Sequence, residues 1–181
     1  AVPCLLDAEL VFRDVKVLGD AKDRVGDRKR QKAKKSESCK KGLKAYRKRN
    51  YKAASRFFQQ AREEGSLDVR GLYKLGRSYR ELDLCRKAIS PLNEIYKKWT
   101  ANKVWADDEG IARQASFLLA RCHAKQNEPD LAINILNGYL LEPKKYRPEI
   151  MKSLRHKDFG WIHTSKPYRE YKDEAMQALG K

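Results

Sequence analysis

The side chains with chemistry to offer in this 181-residue chain are three histidines, four cysteines, a short acidic run and a large excess of cations. His156 and His163 stand seven apart with Asp158 between them, but no further metal ligand lies at a recognisable spacing. Cys4, Cys39, Cys85 and Cys122 form no Cys-x-x-Cys pair. Cys85 and Cys122 fall in segments of apolar periodicity, where a cysteine acts as a small buried hydrophobe, and a reducing compartment suits them. The run Asp107, Asp108, Glu109 is too irregular for a calcium loop. No glycine-rich phosphate loop, nucleophile elbow or paired-carboxylate motif is present. The expectation is a protein that is not an enzyme and holds no cofactor or metal.

What remains is electrostatic chemistry. The formal net charge is +17, which calls for an acidic counterpart: nucleic acid, an anionic membrane surface or an acidic protein face. Residues 21–41 carry ten Lys/Arg against three Asp/Glu. Arg28, Lys29, Arg30, Lys32, Lys34 and Lys35 read as an anion-binding arm, with a solvated helix extension or a linker as the alternatives. Residues 1–20 form an apolar-rich leader, a strand or a short helix, in which "LLDAELVF" is a weak amphipathic candidate. No apolar run approaches the ~20 residues of a membrane span. The chain begins at Ala1 and its methionines are Met151 and Met176. A removed targeting peptide, hence a mitochondrion or plastid, is the expectation, with the cytoplasm as the alternative.

The elements that must position these charges are helical. Hydrophobic residues make up 41% and charged residues 36%, enough for one domain with a core. Ala54, Phe58 and Ala61 fall on one helix face, and the same pattern returns 34 residues later as Ala88, Leu92 and Ile95, with Gly42 matched by Gly76. It returns after a further 44 residues as Ala120, Ala132, Leu136 and Tyr139. The extra residues include "TANKVWADDEG", a longer loop or a helix extension. Small residues at Gly76 and Ala88 would let paired helices approach closely. Phe58, Leu92 and Leu136 are expected to fill the groove between successive units. Residues 49–50 and 127–130 read as turns within pairs, and Gly65 as a helix stop.

A period of 34 with this small–large order resembles the tetratricopeptide repeat, in which Leu72, Leu75, Gly76 and Tyr79 match the first helix of the second unit. The resemblance implies an all-α fold: an α-solenoid of about three tetratricopeptide-like helix pairs over residues 42–141, with a basic N-terminal arm and a helical cap over residues 142–181. Asp158, Phe159, Ile162, Pro167 and Tyr168 resemble a capping segment of such arrays, with Phe159, Trp161, Ile162 and Tyr168 as apolar plugs.

The resemblance also implies a concave groove lined by the first helix of each unit. By position it would present Tyr46, Arg47, Arg70, Tyr73, Arg77, Arg80, Glu81, Gln114, Phe117, Arg121 and Lys125. Arginine forks suit carboxylates and phosphates, so an acidic ligand is expected there. The lysine–asparagine clamp of chaperone-binding members is missing, since Leu43, Arg47 and Lys74 stand in its places. His123 falls where the family packs a tyrosine and reads as structural. The function implied is a non-catalytic adaptor or scaffold, a structural subunit or assembly factor of a large organellar complex, docking a protein with an acidic segment. The alternatives are an RNA-associated protein, such as a peripheral organellar ribosome subunit, and peripheral contact with a membrane complex.

Overall fold

The computed structural model describes residues 36–104 and 106–180. The apolar leader and the arm residues 28–35 lie outside them. The described residues are helical throughout, with no strand among them. The order is α1 (Glu37–Arg47), α2 (Tyr51–Glu63), α3 (Val69–Glu81), α4 (Cys85–Thr100), α5 (Glu109–Lys125), α6 (Pro129–Leu140), α7 (Arg147–Arg155) and α8 (Lys166–Ala178). Short 3-10 turns at Ala106–Asp108 and Lys157–Trp161 precede α5 and α8. None of the described helices is long and apolar enough to cross a membrane.

Local chemistry explains where the helices start and stop. Ser36, Asn50, Asp68 and Ser165 cap α1, α2, α3 and α8, their side-chain oxygens accepting from Cys39, Ala53, Gly71 and Tyr168 N–H. Prolines occupy the first turns of α6, α7 and α8. The turns inside the sequence pairs repeat one another, a form also taken by Asn102 (φ 52°) after α4, where Lys103 N–H reaches the Lys98 carbonyl. Arg49, Asp83 and Asn127 all have positive φ, at 57°, 61° and 58°. In each turn the next residue's N–H reaches back to a carbonyl five residues earlier: Asn50 to Ala45, Leu84 to Tyr79, Glu128 to His123. These are left-handed helix ends without glycine. Gly65, at φ +65°, ends α2 as expected.

Packing follows the chain. Each of α1 to α6 lies against its successor, α1 and α5 each also touch α3, and α6 carries both α7 and α8. The small residues bring paired helices together, and the large ones seat on them as well as facing the next pair, Phe58 sharing a buried cluster with Leu75 of α3 and Leu92 one with residues of α5. A Cβ on Gly42 would stand 2.7 Å from the Phe58 ring, and one on Gly76 2.6 Å from Leu92. Phe58 and Leu92 therefore close the groove inside their own pair, α1–α2 and α3–α4. The reason is steric: only where the facing helix lacks a Cβ is there room for the ring or the branched tip. Ala54, Phe58, Ala61, Ala88, Leu92, Ile95, Ala132, Leu136 and Tyr139 are all fully buried, each large one contributing ~1.5–3 kcal/mol of burial.

The C-terminal residues close the core with Phe159, Ile162, Tyr168 and Tyr171, all buried. Trp161 is the exception to the expected set of plugs. It is 64% exposed, because the Lys157–Trp161 turn points Phe159 and Ile162 inward and leaves Gly160 and Trp161 between them outside. Between α4 and α5 the expected insertion resolves into two parts: α4 runs on to Thr100, and the Ala106–Asp108 turn leads into α5.

Candidate functional site

A cleft of about 490 Å³ opens where α3, α5, α7 and the Lys157–Trp161 turn meet. Of the residues expected on a groove, Tyr73, Arg77, Arg80, Glu81, Gln114, Phe117 and Arg121 line it. They come together because α3 packs beside α5 with their exposed faces in register; Tyr73 Oη donates to Gln114 Oε1 at 3.1 Å across the two helices. Tyr46, Arg47, Arg70 and Lys125 do not line the cleft. Tyr46 is half-buried against Phe58 and Tyr51. Arg47 is exposed at the end of α1.

Sequence reasoning missed the C-terminal wall. Glu149, Lys152, His156 and Lys157 complete the lining. Lys152 and Lys157 are exposed and make no ion pair among the described residues. The cap was read for its apolar plugs alone; the spacing of Lys152 and Lys157 carries no sign of which side of the chain they turn to.

The arginines are also less free than the sequence suggested. Asp158, only 4% exposed, accepts from Arg80 at 2.6 Å and from Arg121 at 2.8 Å. Burial pushes its carboxyl up, but the two arginine hydrogen bonds overcome this and hold it below the ordinary carboxylate range. Arg70 pairs with the buried Asp108 at 2.7 Å, Arg77 with Glu81 at 3.6 Å, and Lys125 with Asp83. Arg80 and Arg121 thus tie α3 and α5 to the C-terminal turn rather than waiting for a ligand. The cations left facing the cleft are Arg77, loosely paired, and Lys152 and Lys157.

The three histidines are engaged. Nδ1 of His123 lies 2.6 Å from Glu128 and the ring is buried. His156 Nδ1 accepts from the Asp158 N–H, and its ring packs on Phe117 and Phe159. Burial, then the charge of Arg121, lowers its pKa. His163 Nδ1 lies 2.6 Å from the Gly160 carbonyl, on which it donates. Among the described residues no group of three or more His, Cys, Asp or Glu could hold a metal ion. Cys39, Cys85 and Cys122 are buried. The neighbouring thiol of Cys85, then burial, pushes Cys122 above the ordinary thiol range.

Chemically, the cleft offers two lysines and an arginine, the rings of Tyr73, Phe117 and His156, and the carboxylates of Glu81 and Glu149. It can bind by charge and ring contact. Comparison with models of known families, with curated proteins and with solved structures gives no match.

Proposed function

We propose that the chain is a non-catalytic, tetratricopeptide-like scaffold whose cleft docks an acidic segment of a protein partner. The recurring left-handed turns at Arg49, Asp83 and Asn127, spaced like the sequence repeat, support the array reading. So do the contacts of α3 with both α1 and α5. The observation that carries the docking reading is the cleft itself, with Lys152 and Lys157 unpaired beside Tyr73 and Phe117. Its mixed lining favours a peptide over a uniform polyanion. Asp158 occupies Arg80 and Arg121, and Glu81 and Glu149 interrupt the cations, so the cleft offers no continuous track for a phosphate chain, whereas a peptide can set an acid against each lysine and an apolar or amide group elsewhere.

An adaptor or structural subunit of a larger assembly is the role this surface suits. The test is an array of acidic peptides carrying interspersed aromatic and aliphatic residues, read by fluorescence anisotropy. A double reversal, Arg77→Glu with Lys152→Glu, should weaken the best peptide at least tenfold, about 1.4 kcal/mol. The melting temperature should hardly move, since both side chains are exposed. Equal binding by wild type and reversal variant would remove the cleft as the docking site.

A further inference from the structure

Among the described residues, a surface of a single sign covers α1, α2 and the turn between them, none of whose residues lines the cleft. Between Glu37 and Glu63 the sequence holds no acid, and Lys40, Lys41, Lys44, Arg47, Lys48, Arg49, Lys52 and Arg56 are all exposed. Lys40 pairs with Glu37 at 3.5 Å; the other seven make no ion pair among the described residues. On α1, Lys40, Lys44 and Arg47 share the face opposite the buried Cys39 and Gly42, at i, i+4 and i+7. Lys48 and Arg49 form the turn, and Lys52 and Arg56 open α2.

The acids of this helix pair, Glu37, Glu63 and Glu64, gather at its opposite end, where Ser38 donates to Glu64 at 2.8 Å. The pair is therefore polarised, with its turn end wholly cationic. Folding does not ask for this. Basic residues in the last turn of α1 suit the helix dipole, but Lys52 in the first turn of α2, behind Lys48 and Arg49, opposes it. The crowd of like charges also repels itself.

We propose that the turn end of α1–α2 is a contact surface for the sugar-phosphate backbone of a nucleic acid. A run of like charges with no acid among them matches a polymer of uniform negative charge, where the cleft does not. An anionic membrane is the weaker match. Among the described residues the exposed large apolar side chains are Leu84, Leu131, Leu141 and Trp161, and none lies on α1 or α2 to anchor in lipid. The patch continues in sequence into the basic run of residues 21–35, so the experiment must separate the two.

Binding of a labelled poly(U) strand and of a DNA duplex of equal length to the full chain would be followed by anisotropy across a salt series. The patch variant is Lys44→Gln, Lys48→Gln, Lys52→Gln and Arg56→Gln together. The arm variant replaces Arg28, Lys29, Arg30, Lys32, Lys34 and Lys35 by Gln. The patch variant should bind at least tenfold more weakly, with the slope of log K against log salt shallower by about 2–3. It should melt no lower than wild type. Photocrosslinks from 4-thiouridine RNA to the wild-type chain should map within residues 40–56, a readout that needs no variant to fold. Preference for RNA or DNA decides which backbone is the natural one. The proposal is overturned if the patch variant binds as wild type while the arm variant does not. It is equally overturned if crosslinks avoid residues 40–56, or if phosphatidylserine vesicles bind at physiological salt where neither nucleic acid does. Lys152→Glu with Lys157→Glu, on the C-terminal wall of the cleft, should leave nucleic-acid binding intact, so this surface and the cleft can fail separately.

Discussion

Two glycines and the side chains above them set how closely the first two helix pairs can pack. At Gly76 an added methyl would lie 2.6 Å from both Cγ and Cδ2 of Leu92; at Gly42 it would lie 2.7 Å from a ring carbon of Phe58. Alanine gains about 1 kcal/mol in helix propensity over glycine. Overpacking a filled site costs about 1–3 kcal/mol. Leu92 is fully buried and the clash reaches its branch carbon, so a simple rotamer change gives no relief and overpacking wins. Gly76→Ala and Gly42→Ala should each lose about 1–2 kcal/mol in urea titrations. Gly138 in α6 has no atom within 4 Å of its would-be Cβ, so Gly138→Ala should gain roughly 0.5–1 kcal/mol. A neutral Gly76→Ala would mean that the pairs are not in tight contact. These glycines were legible in sequence because their spacing repeats. That Phe58 and Leu92 also seat on the glycine of their own pair was not, because a helical period gives the face of a residue and not its partner.

Between elements, the largest electrostatic joint is Asp158 under Arg80 and Arg121, which binds the Lys157–Trp161 turn to α3 and α5. Its side chain is 6% exposed, so breaking the joint leaves two half-buried cations uncompensated. Losses of about 3–5 kcal/mol are typical of such deletions. Asp158→Asn should destabilise by a similar amount while keeping the shape of the side chain. The pH dependence follows from the direction of the shift. The folded carboxyl sits below the unfolded value of about 3.9, so its contribution is full above that pH and disappears as pH falls through the folded pKa. His156 acts in a higher window. With its folded pKa lowered, the unfolded chain takes up the proton first, and stability declines as pH drops below about 6.5. Melting temperatures from pH 7 to pH 3 should show both steps, the upper one missing in His156→Gln and the lower one in Asp158→Asn. A flat profile in the wild type would contradict the joint. None of this was readable beforehand. Arg80 and Asp158 are 78 residues apart, and no periodicity links an arginine of the third helix to an aspartate of the C-terminal turn. For the same reason the sequence overstated the free charge of the cleft.

Across the whole molecule, a net charge of +17 makes self-repulsion a term that salt can switch off. The Debye length falls to about 10 Å at 0.1 M, which screens exposed charges but leaves buried pairs largely intact. Apart from Lys40, which pairs with Glu37, the exposed cations Lys41, Lys44, Arg47, Lys48, Arg49, Lys52 and Arg56 make no ion pair among the described residues, so screening relieves them at the loss of little. The joint at Asp158 is buried and keeps its strength. Raising salt should therefore stabilise the free protein, by a melting shift of a few degrees between ~20 and ~300 mM, since 1 kcal/mol moves a domain of this size by roughly 2–4 °C. Binding of a polyanion should run the other way, weakening as salt rises. The acidic peptide in the cleft should be less sensitive, because ring contacts with Tyr73 and Phe117 are not screened. Differential scanning calorimetry across the salt series, with and without poly(U), separates these terms. The two melting curves should lie apart at low salt and converge at high salt, the free protein rising to meet the complex. If the free protein instead melted lower as salt was added, its surface ion pairs would outweigh its repulsion. The unpaired cations of α1–α2 would then have to be compensated within the chain, leaving nothing for an outside polyanion to neutralise.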